Sequence, residues 1–175
     1  MHQVKDSRCH KNTNYIIKIS VLILITMNED EIRFRFLYGL YQKNNGEQTS
    51  ERIDPHELTK MAGLEGIEES SLIREVTYLN KEGLIGGDFA DGKILPAYVS
   101  TTNWGNETIE QIMSEMLSYL VQNDTGEVKD ELEKIQGEES TSNQNLRLWE
   151  YIQREPKLKE IINEKAARLI SDPGF

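Results

Sequence analysis

Glu68-Glu69-Ser70-Ser71-Leu72-Ile73-Arg74-Glu75-Val76-Thr77-Tyr78-Leu79-Asn80-Lys81-Glu82-Gly83-Leu84-Ile85 is the stretch that decides the fold. Leu72, Val76 and Leu79 recur at i, i+4 and i+7, the spacing that puts apolar side chains on one stripe of a helix. The spacing predicts a helix from about Glu68 to Glu82, stopped by Gly83. The apolar residues then stop following helical spacing, and Leu84 to Phe89 reads as a strand. Asp91-Gly92 is a strong hairpin-turn dipeptide, Ile94 to Ser100 reads as the returning strand, and Pro96 places that strand at an edge.

Upstream, Asp54-Pro55-His56-Glu57 carries an N-cap, a proline at the first helical position and a capping-box glutamate. A short helix over Pro55 to Ala62 follows, with Leu58 and Met61 inward and Gly63 as its stop. Before it, Asn28 caps a helix that begins with the acidic turn Glu29-Asp30-Glu31, which suits the positive end of the helix dipole, and runs to about Lys43. Ile32, Phe36, Leu37, Leu40 and Tyr41 form its apolar set. Phe34 and Tyr38 widen that set, so this helix is expected to be buried on more than one side. Gly39 in its interior allows close packing. Downstream, Thr102 is a plausible cap for the cleanest amphipathic helix in the chain, marked by Ile109, Ile112, Met113, Met116, Leu117, Leu120 and Val121.

Helix, helix, helix, hairpin, helix over residues 28–121 resembles the winged helix-turn-helix domains of bacterial and archaeal transcriptional regulators. Val76 to Ile85 is similar to the end of a recognition helix entering the first wing strand, and Tyr98 to Gly105 to the second wing strand and the following cap. Trp104 departs from the usual pattern, and packing against the domain and ligand stacking are both open to it. The expected fold class is mainly α with a small β-hairpin (α+β), followed by C-terminal helices. The resemblance implies a non-catalytic, cytoplasmic regulator that binds double-stranded DNA, commonly as a homodimer through helices outside the motif.

Composition bears on that expectation. The 175 residues carry a formal net charge of -10. It divides as +3 over 1–27, -9 over 28–123 and -4 over 124–175. DNA binding draws on Lys and Arg neutralising phosphates, so an acidic centre opposes it. Helical geometry softens the objection. With Leu72 set at zero, Ser70, Arg74, Thr77, Tyr78 and Lys81 lie between about 140° and 240°, and the four glutamates fall on the flanks. Arg74 is placed to read guanine, Ser70 and Thr77 to reach bases or phosphates, and Lys81 to reach phosphate. Lys93 follows the hairpin turn and adds a charge at the expected wing tip. An ordinary solvated helix face accounts for the same residues, and a winged helix used for protein–protein assembly remains the rival reading.

Residues 1–27 are expected to be an unstructured extension ahead of a true start at Met27. The alternatives are a weak signal or anchor, or an extra strand formed by the alternating Ile17, Ile19, Val21, Ile23 and Ile25. The unbroken apolar run Val21–Ile25 is far too short to span a bilayer. The lone Cys9 excludes an intramolecular disulfide, and with His2 and His10 it makes a poor metal frame. His56 reads as a helix-surface residue. Residues 122–145 read as a polar linker with a short helix over Val128 to Ile135. Residues 146–172 form a helical segment interrupted at Pro156, which packs back on the first domain, pairs with a second subunit or binds a partner protein. No cofactor, metal ligand set or catalytic motif is recognised.

Overall fold

The computed structural model describes residues 27–44, 53–89, 95, 96, 98–123 and 126–171. Lys93, the Asp91-Gly92 turn, residues 1–26 and the terminal Asp172-Pro173-Gly174 lie outside them. The described chain is mainly helical with a small two-stranded antiparallel sheet. In order it comprises α1 (Glu29–Lys43), α2 (Pro55–Met61), α3 (Glu69–Lys81), β1 (Ile85–Gly87), β2 (Val99–Thr101), α4 (Asn103–Gln122), α5 (Glu127–Gln136), α6 (Thr141–Arg154) and α7 (Pro156–Ala166), which ends in a π-turn over Ala167–Ser171.

Every residue from Glu31 to Leu40 is buried, so α1 is the central rod of the molecule. Asn28 caps it by accepting from the Glu31 amide at 2.8 Å. Its apolar side chains point all round the axis, and α2, α3, α4 and α7 pack against different sides. Gly39 lets α2 approach closely: a Cβ there would sit 3.2 Å from Ala62 Cβ. Asp54 caps α2 through the His56 amide, and His56 itself is exposed.

Two helix ends use the same glycine device. After α2, the Leu64 amide reaches back to Thr59 O and Gly63 to Lys60 O; after α3, Leu84 reaches Leu79 O and Gly83 reaches Asn80 O. These are Schellman bonds, which need a left-handed residue, and Gly63 and Gly83 supply it at φ 63° and 69°.

Among the described residues the paired strands are three residues each, with Ile85 opposite Thr101 and Gly87 opposite Val99. Thr102 caps α4 by accepting from the Gly105 amide at 3.0 Å, and its hydroxyl also donates to Gly83 O at 2.7 Å. That cap starts α4 at Asn103, earlier than its apolar periodicity alone indicates. Trp104 is partly buried and packs against the core.

The described part of the polar stretch 122–145 is largely helical. It carries α5, longer by a residue at each end than the helix expected there, and the first turns of α6, which Ser140 caps by accepting from the Asn143 amide. The C-terminal helices fold back on the first domain. Trp149 of α6 is 2% exposed and sits edge-on to Phe34 and Tyr38, at ring distances of 5.9 and 5.3 Å. A charged seam accompanies it. Arg35 Nη2 donates to Glu31 Oε1 at 2.7 Å, Gln153 Nε2 to the same oxygen at 2.6 Å, and Arg35 lies over the Trp149 ring. Burial pulls the Arg35 pKa down, against the opposing pull of Glu31.

Candidate nucleic-acid interface

Helix α3 lies against α1 with Leu72, Val76 and Leu79 inward. Ser70, Arg74 and Lys81 are exposed, and Thr77 and Tyr78 are half-buried. The stripe opposite the core therefore holds the residues expected there, but neighbouring elements divide it in two.

Ser70, Thr77 and Lys81 form the open half. Ser70 Oγ donates to Glu68 Oε1 at 2.7 Å. Arg74 and Tyr78, one turn apart, form an edge against the start of α1 and the C-terminal π-turn. Arg74 Nε donates to Glu75 Oε1 at 2.6 Å and Nη2 to Glu29 Oε1 at 3.0 Å. These bonds, with the negative charges of Glu75, Glu29 and Glu68, raise the Arg74 pKa. The Tyr78 hydroxyl donates to Ser171 O at 2.9 Å, and the Arg33 guanidinium covers the Tyr78 ring at 3.9 Å.

Glu75 refines the sequence reading, in which the four glutamates fall on the flanks of the helix. It is fully buried. One carboxylate oxygen takes Arg33 Nε at 2.7 Å and the other takes Arg74. Burying a carboxylate is tolerable only when it is paired and hydrogen-bonded, and the two arginines satisfy it. The acid is thereby removed from the surface, while one edge of the Arg74 guanidinium is consumed.

Arg33 organises this edge. Besides Glu75, it reaches Asp30 at 3.3 Å and Ser171 Oγ at 2.6 Å, and Ser171 Oγ also bonds Asp30. Neither Arg33 nor Glu29 stands out in the motif, because both belong to α1. The available signal is that α1 has no polar side: at 100° per residue Arg33 falls between Leu40 and Leu37, so a buried partner is required.

Among the described residues no three His, Cys, Asp or Glu converge to hold a metal ion, and no helix is long and apolar enough to cross a membrane. Asn106-Glu107-Thr108 matches the short Asn-Xaa-Thr glycosylation pattern, but it lies within α4 with Thr108 buried. No protein-family model, curated protein or solved structure matches the chain.

Proposed function

We propose that the chain is a winged-helix, non-catalytic transcriptional regulator of the cytoplasm that binds double-stranded DNA, with α3 as the reading helix. The observation that carries the reading is the stripe of α3 opposite its core contacts: Ser70 and Lys81 are exposed with Thr77 half-buried between them, Arg74 is 61% exposed at their border, and Glu75 is taken inside. Phosphate contact by Lys81 needs no rearrangement, and groove contact by Ser70 requires its hydroxyl to leave Glu68. Arg74 reads a base only after leaving Glu29, and that exchange is easy because both side chains are about 60% exposed and surface pairs contribute little. Buried Glu75 continues to orient the guanidinium. Lys93 and the hairpin would add a wing contact. A homodimer would supply two such helices, and the exposed Leu117 and Val121 on α4 offer apolar surface for that pairing.

Electrophoretic mobility shift on a random duplex pool at low salt tests this reading. Binding should weaken in Lys81→Ala, with the salt slope reduced by about 1, and should strengthen several-fold in Glu29→Gln, which releases Arg74. No shift of any duplex at micromolar protein refutes it.

A second reading, a winged helix used for protein assembly, is favoured by the engagement of Arg74 and Tyr78 within the chain and by the exposed Leu117 and Val121. Recovery of a protein partner that is lost on Leu117→Glu or on changes in the C-terminal helices, with DNA absent, would select it.

A further inference from the structure

Away from α3, the end of α4, α5 and the end of α6 line an open groove of about 810 Å³. Two tyrosines, Tyr119 and Tyr151, and the apolar Leu120 and Val128 form part of its wall. Six charged side chains complete it, and they do not balance. Both cations are engaged by one acid: Lys134 Nζ lies 3.4 Å from Glu131 Oε2, and Arg154 Nη2 lies 3.1 Å from Glu131 Oε1. Glu127, Asp130 and Glu155 also line the groove and make no ion pair among the described residues.

Tyr151 is a second, independent indication. The residue is 8% exposed, yet it lines the groove, and its hydroxyl has no hydrogen-bond partner among the described residues. Burial, then the nearby charges of Glu155 and Glu131, push its pKa up. The phenol keeps its proton and presents an unused donor and acceptor to whatever enters.

We propose that this groove binds an extended organic polycation of the polyamine class. Four carboxylates against two cations leave the lining with a net charge of -2, which calls for more than one positive charge. They do not converge into a cluster able to grip a metal ion, so the charges they match must be spaced along a chain. Ammonium groups are also attracted to the faces of tyrosine rings within about 6 Å, and the methylene stems between them suit Leu120 and Val128. The proposal is independent of DNA binding, since no residue of α3 lines the groove.

Calorimetric titration of the full chain with spermidine at physiological ionic strength tests it. The expected result is a single site. The double variant Asp130→Asn with Glu155→Gln should weaken binding about tenfold, because it removes two of the three carboxylates left without an ion pair among the described residues. Both residues lie at the rim, and unchanged circular dichroism and thermal midpoint will show that the variant is folded. Magnesium at matched ionic strength should displace spermidine no better than sodium chloride does. Bound spermidine should lower the titration midpoint of one tyrosine, read by ultraviolet difference spectra, and the change should vanish in Tyr151→Phe. Equal displacement by magnesium, unchanged affinity in the double variant, or a tyrosine titration indifferent to spermidine would each overturn the proposal.

Discussion

Arg74 and Glu75 are adjacent in sequence and differ entirely in circumstance. Arg74 is mostly solvated, and Glu75 has no exposure at all. Removing the carboxylate with Glu75→Ala leaves the Arg33 guanidinium, whose side chain is 11% exposed, short of its best partner. Breaking a buried pair from one side costs about 3–5 kcal/mol. Asp30 and Glu29 remain to Arg33, so the loss should fall toward the lower end, read as a shift of the urea midpoint. Arg74→Ala leaves one oxygen of the buried Glu75 without its partner while Arg33 still holds the other, so it should cost less than Glu75→Ala, about 1–3 kcal/mol, while weakening DNA binding. The glycines provide a second comparison. Gly83→Ala places an alanine at φ 69° with nothing within 4 Å of its Cβ, and should cost about 1–2 kcal/mol. Gly63→Ala bears the same backbone penalty, and its Cβ would lie 2.6 Å from Trp149 Cδ1. Trp149 is packed and has little room to retreat, so overpacking should add a further 1 kcal/mol or more, on the order of known core insertions. Equal destabilisation of the two variants in a denaturant melt would mean that Trp149 yields without cost.

Among the elements, α6 and α7 carry the largest consequence. Trp149, Ile152, Leu158 and Ile162 cover sides of the core that α2 to α4 leave open, so residues 28–121 do not complete their own core. Truncation after Asn123 should abolish the cooperative thermal transition, and Trp149→Ala in the full chain should cost about 3–5 kcal/mol. A truncated chain with a sharp transition near that of the intact protein would contradict this. The sequence shows where apolar faces exist but says less about what they meet. Helix α3 and its glycine stop were legible because Leu72, Val76, Leu79 and Gly83 are local signals. So was the cap at Thr102. The surround of α1 was legible in part: apolar side chains at every angle announce burial. The pairing of Arg33 with Glu75, 42 residues away, is set by tertiary packing and has no local signature. The same limit applies to the reading face. Helical angle separates Arg74 and Tyr78 from the core stripe, but their engagement with Glu29 and Ser171 depends on where α1 and the C-terminal turn lie.

At the level of the whole molecule, charge is handled by confinement. The net charge is -10, yet the two most buried acids, Glu31 and Glu75, are each held by an arginine of α1. The neutral polar groups of the core set the behaviour at high pH. Tyr38 of α1 is 6% exposed and accepts from Gln42 Nε2 at 3.0 Å. Burial pushes its pKa up to about 12, although the Gln42 bond opposes the shift. An unfolded tyrosine titrates near 10. The folded state therefore binds the phenol proton more tightly. Its contribution to stability is complete below about pH 10 and is lost as pH rises toward 12. A shift of about two units corresponds to roughly 2–3 kcal/mol. The Tyr41 and Tyr151 pKa values are raised by burial in the same direction, and the Lys157 pKa is raised by its bond to Glu160, so several groups lose stabilisation in the alkaline range. Tyr38→Phe isolates the largest of these effects. It deletes the titrating hydroxyl but keeps the ring that meets Phe34 and Trp149. Urea melts at pH 8 and pH 11 should then show a smaller alkaline loss in the variant than in the parent chain. Equal losses would place the alkaline sensitivity in the other tyrosines and the lysine ion pairs instead of at the Tyr38 phenol on the central helix.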